Sequence, residues 1–345
     1  MRALFKRNEV VTARRMLLWA VLQVAASCPH DAGGLSDWAN PSTWPGGLVP
    51  AAGTDVTLPA GKSVVVRASL GIVLGDVTVP ASSELILGRT GSPGDPPILF
   101  NATGISVSGG LTAGSTDCPI DWPRIEITLH GSRGATPAIN AARPFSFKGI
   151  AVTGTLDLHG APLARSWTRL SAPASAGDTS ISLQDTVDWP AGGEVLIVTT
   201  ALKDSRDWHR NEIRTLASLT DGRTVRLSSP LAARHAATDD YQGEVAYLTR
   251  TVVVQGAEAD SRPTDRAVSC TDPRPRLGAN TMPCPNSFLT GYGAHVVAYG
   301  SSAKLRVSSV ELRRVGQTNV MGRYPLHMHM LVHTRSIYLC SYIYL

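Results

Sequence analysis

The chain has 345 residues, with 32 Lys and Arg against 27 Asp and Glu, and it is rich in Gly (32) and Pro (23). Five of the basic residues and one acid fall in the first 27 positions, so the remainder carries a net charge of only +1. That near-neutral balance excludes the basic footprint of a nucleic-acid binder, and the remaining length suits one large or two ordinary domains.

At the amino end Arg2, Lys6, Arg7, Arg14 and Arg15 precede an apolar run over 16–26 and small residues ending at Ser27. This pattern predicts a secretory signal peptide over 1–27, cleaved ahead of Cys28. The run is shorter than the roughly 20 residues a spanning helix needs; a retained amphipathic anchor is the alternative. No later segment is apolar enough to span, so any membrane attachment would come through a missing carboxyl-terminal region.

Short β runs follow: DVTLPAG (55–61), SVVVRAS (63–69), GDVTVPA (75–81), SELILGR (83–89), ISVSGGLTAG (105–114) and RIEITLHG (124–131). Each alternates or is β-branched and closes on Gly, Pro, Ser or Asp. A β-sandwich would also give evenly spaced short strands. The recurrence of a strand and a small-residue corner favours a solenoid, in which each coil stacks its apolar interior on the next. The same style continues through TSISLQ (179–184), GEVLIVTT (193–200), TVRLSS (224–229), EVAYLTRTVVVQG (244–256) and 295–316, so 166–330 reads as further coils. The polar, Pro-rich stretch 257–290 reads as a loop excursion. The tail 331–345 is aromatic and apolar and ends in mid-strand without the polar cap a terminal coil needs, which predicts a truncated or misassembled product, the alternative being a final strand packed as an improvised edge.

Five cysteines in an exported chain predict two disulfides and one leftover, Cys340. Cys270 and Cys284 flank the excursion and would staple it, and Cys28 and Cys118 are candidates for a longer closure. Spacing alone leaves the connectivity open, and none of the spacings matches a zinc site.

Three clusters offer chemistry. In GRYPLHMHM (322–330) His327 and His329 stand at i and i+2 and share one strand face. They are candidates for acid/base work or a metal, or else for interior residues bonded to backbone carbonyls; Arg323 and Tyr324 beside them are candidate glycan contacts. In GTLDLHG (154–160) Asp157 and His159 likewise share a face, forming an acid/base pair if exposed and a mutual hydrogen bond if buried. In RDWHRNE (206–212) Trp208 stands among Asp207, His209 and Glu212, either a solvated loop with the Trp tucked under or the equipment of a carbohydrate-binding surface. Asn101 opens an N-glycosylation sequon. The residues specify no cofactor; calcium stays open.

Taken together, Trp38 to Val66, ISVSGGLTAGSTDCPI, RIEITLHG, GTLDLHG with SWTRL, VDWPAGGEVLIVTT, EVAYLTRTVVVQG and GRYPLHMHM resemble, in the same order, the eight-glycine (G-eight) domain family of fibrocystin-L and of the cell-migration-inducing and transmembrane hyaluronidases. The resemblance implies an all-β fold, a right-handed parallel β-helix of the pectate-lyase type, led by an eight-glycine domain over 38–165 and incomplete at the carboxyl end. Relatives carry a similar pair of Cys-Pro dipeptides, which supports a Cys28–Cys118 disulfide. The resemblance also implies a secreted protein or the ectodomain of a cell-surface protein that contacts polysaccharide or glycoprotein. SWTRL runs within about twenty residues into VDWPAGGEV, without the extra domain that hyaluronan-degrading members insert there, which places the chain nearer fibrocystin-L. The leading functional expectation is a receptor or adhesion module that binds glycans or partner proteins. The alternatives are a polysaccharide-degrading hydrolase or lyase of hyaluronidase type, using Asp157, His159, His327 and His329, and a nonfunctional fragment of a larger protein.

Overall fold

The computed structural model describes residues 28–132, 147–201, 211–261, 291–317 and 320–329. The signal segment, Trp208, Cys270, Cys284, Cys340 and the tail 331–345 lie outside the described residues, as does most of the 257–290 excursion.

The chain enters through a 3-10 turn (Pro29–Asp31) and β1 (Ser36–Asp37), and then winds through β2 (Val56–Thr57) and β3 (Ser63–Val66). The next coils are β4 (Val73–Val79) with β5 (Glu84–Leu87), β6 (Ile98–Val107) with β7 (Gly110–Ala113), and β8 (Ile125–Leu129) with β9 (Gly149–Val152) and β10 (Thr155–His159). An insertion carries β11 (Trp167–Arg169), β12 (Ser180–Ser182), β13 (Glu194–Ile197), β14 (Glu212–Thr220), β15 (Thr224–Leu227) and β16 (Glu244–Tyr247). Winding resumes with β17 (Val252–Gly256), β18 (His295–Tyr299), β19 (Lys304–Ser308), β20 (Val310–Arg313) and β21 (Leu326–His329).

Outside the insertion every strand pairing is parallel. A first sheet stacks β1, β3, β5, β7, β10 and β19. A second sheet forks at the long β6: its first half pairs with β8 and leads through β17 to β20, and its second half pairs with β9 and leads through β18 to β21. Parallel neighbours align like residues, so one inward row of the first sheet runs Val64, Leu85, Leu111, Leu156, Leu305. The matching rows of the second sheet run Ile98, Ile125, Val252, Val310 and Phe100, Ile127, Val254, Leu312. These rows form one buried core, closed at the amino end by Trp38, which meets Trp44 edge-on at 4.7 Å and Phe100 at 5.8 Å.

The corner leading into the first sheet tolerates almost no side chain. A Cβ on Gly109 would stand 2.0 Å from the Ser83 carbonyl oxygen, and one on Gly154 would stand 2.1 Å from the Gly109 carbonyl oxygen. Stacked backbone therefore requires glycine at both positions. Cys28 and Cys118 are bonded, closing a separation of 90 residues and tying the entry hook to the coils.

The insertion departs from the sequence reading, which took 166–330 as further coils interrupted only by the excursion at 257–290. Its six strands pair antiparallel in the order β11, β16, β13, β14, β15, β12. A bridge from Leu170 to Leu183, with the Ser171 amide donating to the Ser182 carbonyl at 2.9 Å, joins the two ends into a closed barrel. The barrel has its own core around Leu170, Ile181, Trp189, Val195, Leu216 and Tyr247, separate from that of the solenoid. Short alternating runs look the same in parallel and antiparallel strands, which is why the two were merged. One signal distinguishes them: Asp221-Gly222, a hairpin dipeptide, turns between Thr220 and Thr224 with φ of 50° and 69°.

The barrel rests on the outer face of β17 and β20. Arg313 pairs with Glu194 of the barrel and with Glu311 at 2.8 Å, and the Arg250 guanidinium donates to the Tyr247 carbonyl at 2.8 Å. Val253 points outward in this row and is nevertheless fully buried. Burial pushes the Glu311 carboxyl above the ordinary carboxylate range, with Arg313 and Arg124 opposing.

Candidate functional site

The outer face of the first sheet gathers polar side chains from successive coils. In the outward rows Glu84 lies beside Gly110, and Thr112 leads to Asp157 and then to Arg306. Glu84 accepts from the Thr112 hydroxyl at 2.6 Å and from the Ser63 hydroxyl at 3.4 Å. Across the amino-terminal end of this face lies the hook held by the disulfide. Between hook and sheet is a groove of about 340 Å³ lined by Gly33, Gly34, Lys62, Ser63, Glu84 and Ile86, among others. This volume lies at the lower end of small-ligand sites.

Farther along the same face the alternation of β10 sets Asp157 and His159 on one side, as their spacing predicts. The following coil adds two partners: Arg306 clamps the Asp157 carboxylate through two nitrogens, and Ser308 Oγ is 2.8 Å from His159 Nδ1. The His159 Nε2 lies 3.9 Å from Asp157. Burial pushes the Asp157 carboxyl up, but the hydrogen bonds from Arg306 and the nearby His159 ring outweigh it and hold the group below its usual range. Asp157 is therefore a carboxylate at neutral pH, and His159 is buried beneath it.

His327 and His329 lie on β21, in the other sheet. His327 stands in register with Val297 and Ala151, on the outward row of the second sheet. Its Nδ1 is 2.9 Å from the Gly322 carbonyl, and its ring contacts His329 and the exposed Tyr324, each at 5.1 Å between centroids. The four candidate catalytic residues thus occupy two different sheets, two on each. Arg323, a candidate glycan contact by sequence, is buried: its guanidinium donates to the Phe147 carbonyl at 3.1 Å and lies 3.0 Å from His295 Nε2. It pins a corner and offers no surface to a ligand. Beside it the fully buried Lys148 donates to the Gly131 carbonyl at 2.8 Å and sits 5.6 Å from the Tyr292 ring centroid. Periodicity gave no sign of this cluster, because its members come from three separate segments. Asn101 points outward from the middle of β6, half-buried, and Thr103 of its sequon donates to Asp76 at 3.0 Å.

Glu212, read from the sequence as part of a carbohydrate-binding cluster, is instead buried in the barrel with His235, a partner the sequence reading did not single out. Glu212 accepts from the Ala232 and Ala233 amides, each at 2.8 Å, and lies 3.0 Å from Nε2 of the fully buried His235. Burial raises its carboxyl, but these bonds and Arg214 prevail and hold it below the usual range. Among the described residues, the one group of three potential metal ligands within 4.8 Å is Cys28, His30 and Asp31, and Cys28 is committed to the disulfide.

The G8 domain model matches residues 43–171, from the turn after β1 through the start of the barrel. The chain contains a G8 domain. A second family model, CEMIP beta-helix, matches 291–343, where winding resumes after the excursion. The two matches bracket the barrel. Among curated proteins, a G8 domain-containing protein of Dictyostelium discoideum is 32% identical over 343 residues, covering 97% of this chain and 22% of that protein. Protein rliB of the same organism is 31% identical, with 94% of this chain and 26% of the relative covered. Human fibrocystin-L is 28% identical over 318 residues, covering 85% of this chain and 7% of fibrocystin-L. This G8 chain therefore spans about a quarter, or less, of the length of the relatives it matches.

Proposed function

We propose that the chain is part of a secreted or cell-surface receptor or adhesion protein whose solenoid, a right-handed parallel β-helix of pectate-lyase type, binds glycan on the outer face of the first sheet. The observation that carries this reading is the groove between the hook and that sheet, where Lys62, Ser63 and Glu84 present donors and acceptors to an open cleft. Hydroxyl-rich ligands are held by such directional polar contacts more than by apolar burial. The family matches and the fibrocystin-L likeness support an extracellular setting. In the same reading Asn101 carries an N-linked glycan.

A polysaccharide-degrading reading needs an acid and a base flanking one bond. Asp157 and His159 lie on one sheet and His327 and His329 on another, and the Asp157 carboxylate is occupied by Arg306. Binding is favoured over cleavage for that reason. The test is to incubate the expressed protein with size-defined hyaluronan, pectin and chondroitin, with and without calcium, and to measure retention and product length. Retention of at least one polymer at unchanged length, weakened about tenfold by Glu84→Gln, is the expected result; a tenfold loss corresponds to about 1.4 kcal/mol. Shortened product would install the enzymatic reading instead.

A further inference from the structure

The structure assigns a second property to the first sheet: we infer that Ser308, His159 and Asp157 form a nucleophilic centre able to cleave a carboxylic ester. The three side chains come together because β10 and β19 pair in register, Asp157 opposite Arg306 and His159 opposite Ser308. Ser308 Oγ at 2.8 Å from His159 Nδ1 is within reach for proton transfer. With Nδ1 accepting from the hydroxyl, the other ring nitrogen carries its hydrogen toward Asp157, 3.9 Å away. Arg306 holds both oxygens of that carboxylate, including the one His159 approaches, so Asp157 and Arg306 act as positioning residues. Such centres are recognised by geometry and role rather than by chain order or fold. The backbone at the site is also unusual. Ser309, the next residue, has φ of +53°, and a Cβ on Gly160 would stand 2.3 Å from the Ser309 carbonyl oxygen. A side-chain-bearing residue held in that region costs of order 1 kcal/mol or more and is concentrated at functional sites.

The step balances with water as the second reactant. Ser308 Oγ attacks the ester carbonyl and forms a new C–O bond as its proton passes to His159 Nδ1. The bond to the leaving alkoxide breaks and the alkoxide takes that proton as an alcohol. Water then attacks the acyl-serine with its proton drawn to His159, and collapse releases the acid and restores the Ser308 hydroxyl.

This inference is independent of the glycan groove, since neither Ser63 nor Glu84 takes part. The test is labelling of the full chain with a fluorophosphonate probe, with the modified peptide located by mass spectrometry, alongside hydrolysis of p-nitrophenyl acetate. Ser308 is expected to be the modified residue. Ser308→Ala should abolish labelling and His159→Gln should slow it about 100-fold or more, whereas Ser302→Ala, an exposed serine at the neighbouring corner, should leave it unchanged. Melting temperatures of all variants verify folding. Failure of the folded wild-type chain to label, or labelling that persists in Ser308→Ala, would overturn the inference.

Discussion

At the scale of single residues, the solenoid depends on where side chains are forbidden as much as on where they pack. Gly154 stacks on the Gly109 carbonyl, and neither backbone can withdraw without breaking the parallel ladder on both sides. Gly154→Ala is therefore expected to destabilise by about 1–3 kcal/mol, the range for a forced overlap in a packed interior, read as a lower denaturation midpoint with unchanged slope. The Ala variant of Gly192, whose surroundings are open but whose φ is +86°, separates backbone strain from overlap and should cost about 1 kcal/mol. The Asp157–His159 pair was legible because the period of a strand is two. Its partners Arg306 and Ser308 were not, since both lie 149 residues away and are brought close only by the coil register. Burial of Arg323 was equally hidden, because a charged residue next to an exposed Tyr324 reads as surface until the corner that encloses it is known.

At the scale of elements, the parallel sheets and the antiparallel barrel draw on the same alphabet of short β runs. Rows such as Val64, Leu85, Leu111 and Leu156 explain why the first half was readable as stacked coils: each strand repeats the inward apolar pattern of the one before. The barrel was read as more of the same because its strands alternate with the same period, and only Asp221-Gly222 marks a hairpin. Its buried Glu212 makes the barrel sensitive to acid. Folding lowers the Glu212 pKa, so the stabilisation is fully present above the unfolded value of about 4.3 and is lost as pH falls through the lower folded value. Glu212→Gln should cost about 3–5 kcal/mol at neutral pH, as removal of one partner of a buried pair does. Thermal melts across a pH series provide the check: the gap between wild type and variant should close as pH drops below about 4. A gap that stays constant into that range would show that the Glu212 charge contributes nothing.

At the scale of the whole molecule, one chain winds a solenoid, leaves it to build a barrel, and returns to pair β17 with β8 as though nothing had intervened. The barrel then covers the outer side of β17 and β20, while the disulfide-held hook lies over one end of the first sheet and forms a groove with it. The proposed ligand face is the first sheet, where Glu84 lies beside Gly110 and Thr112, Asp157 and Arg306 follow one another across the coils. Amide hydrogen exchange of the full chain, with and without a retained polysaccharide, tests that assignment most directly. Slowed exchange in the segments holding Gly33, Gly34, Ser63 and Glu84 is the expected result. Protection confined to the β21 edge around His327 and His329, with the groove segments unchanged, would contradict it.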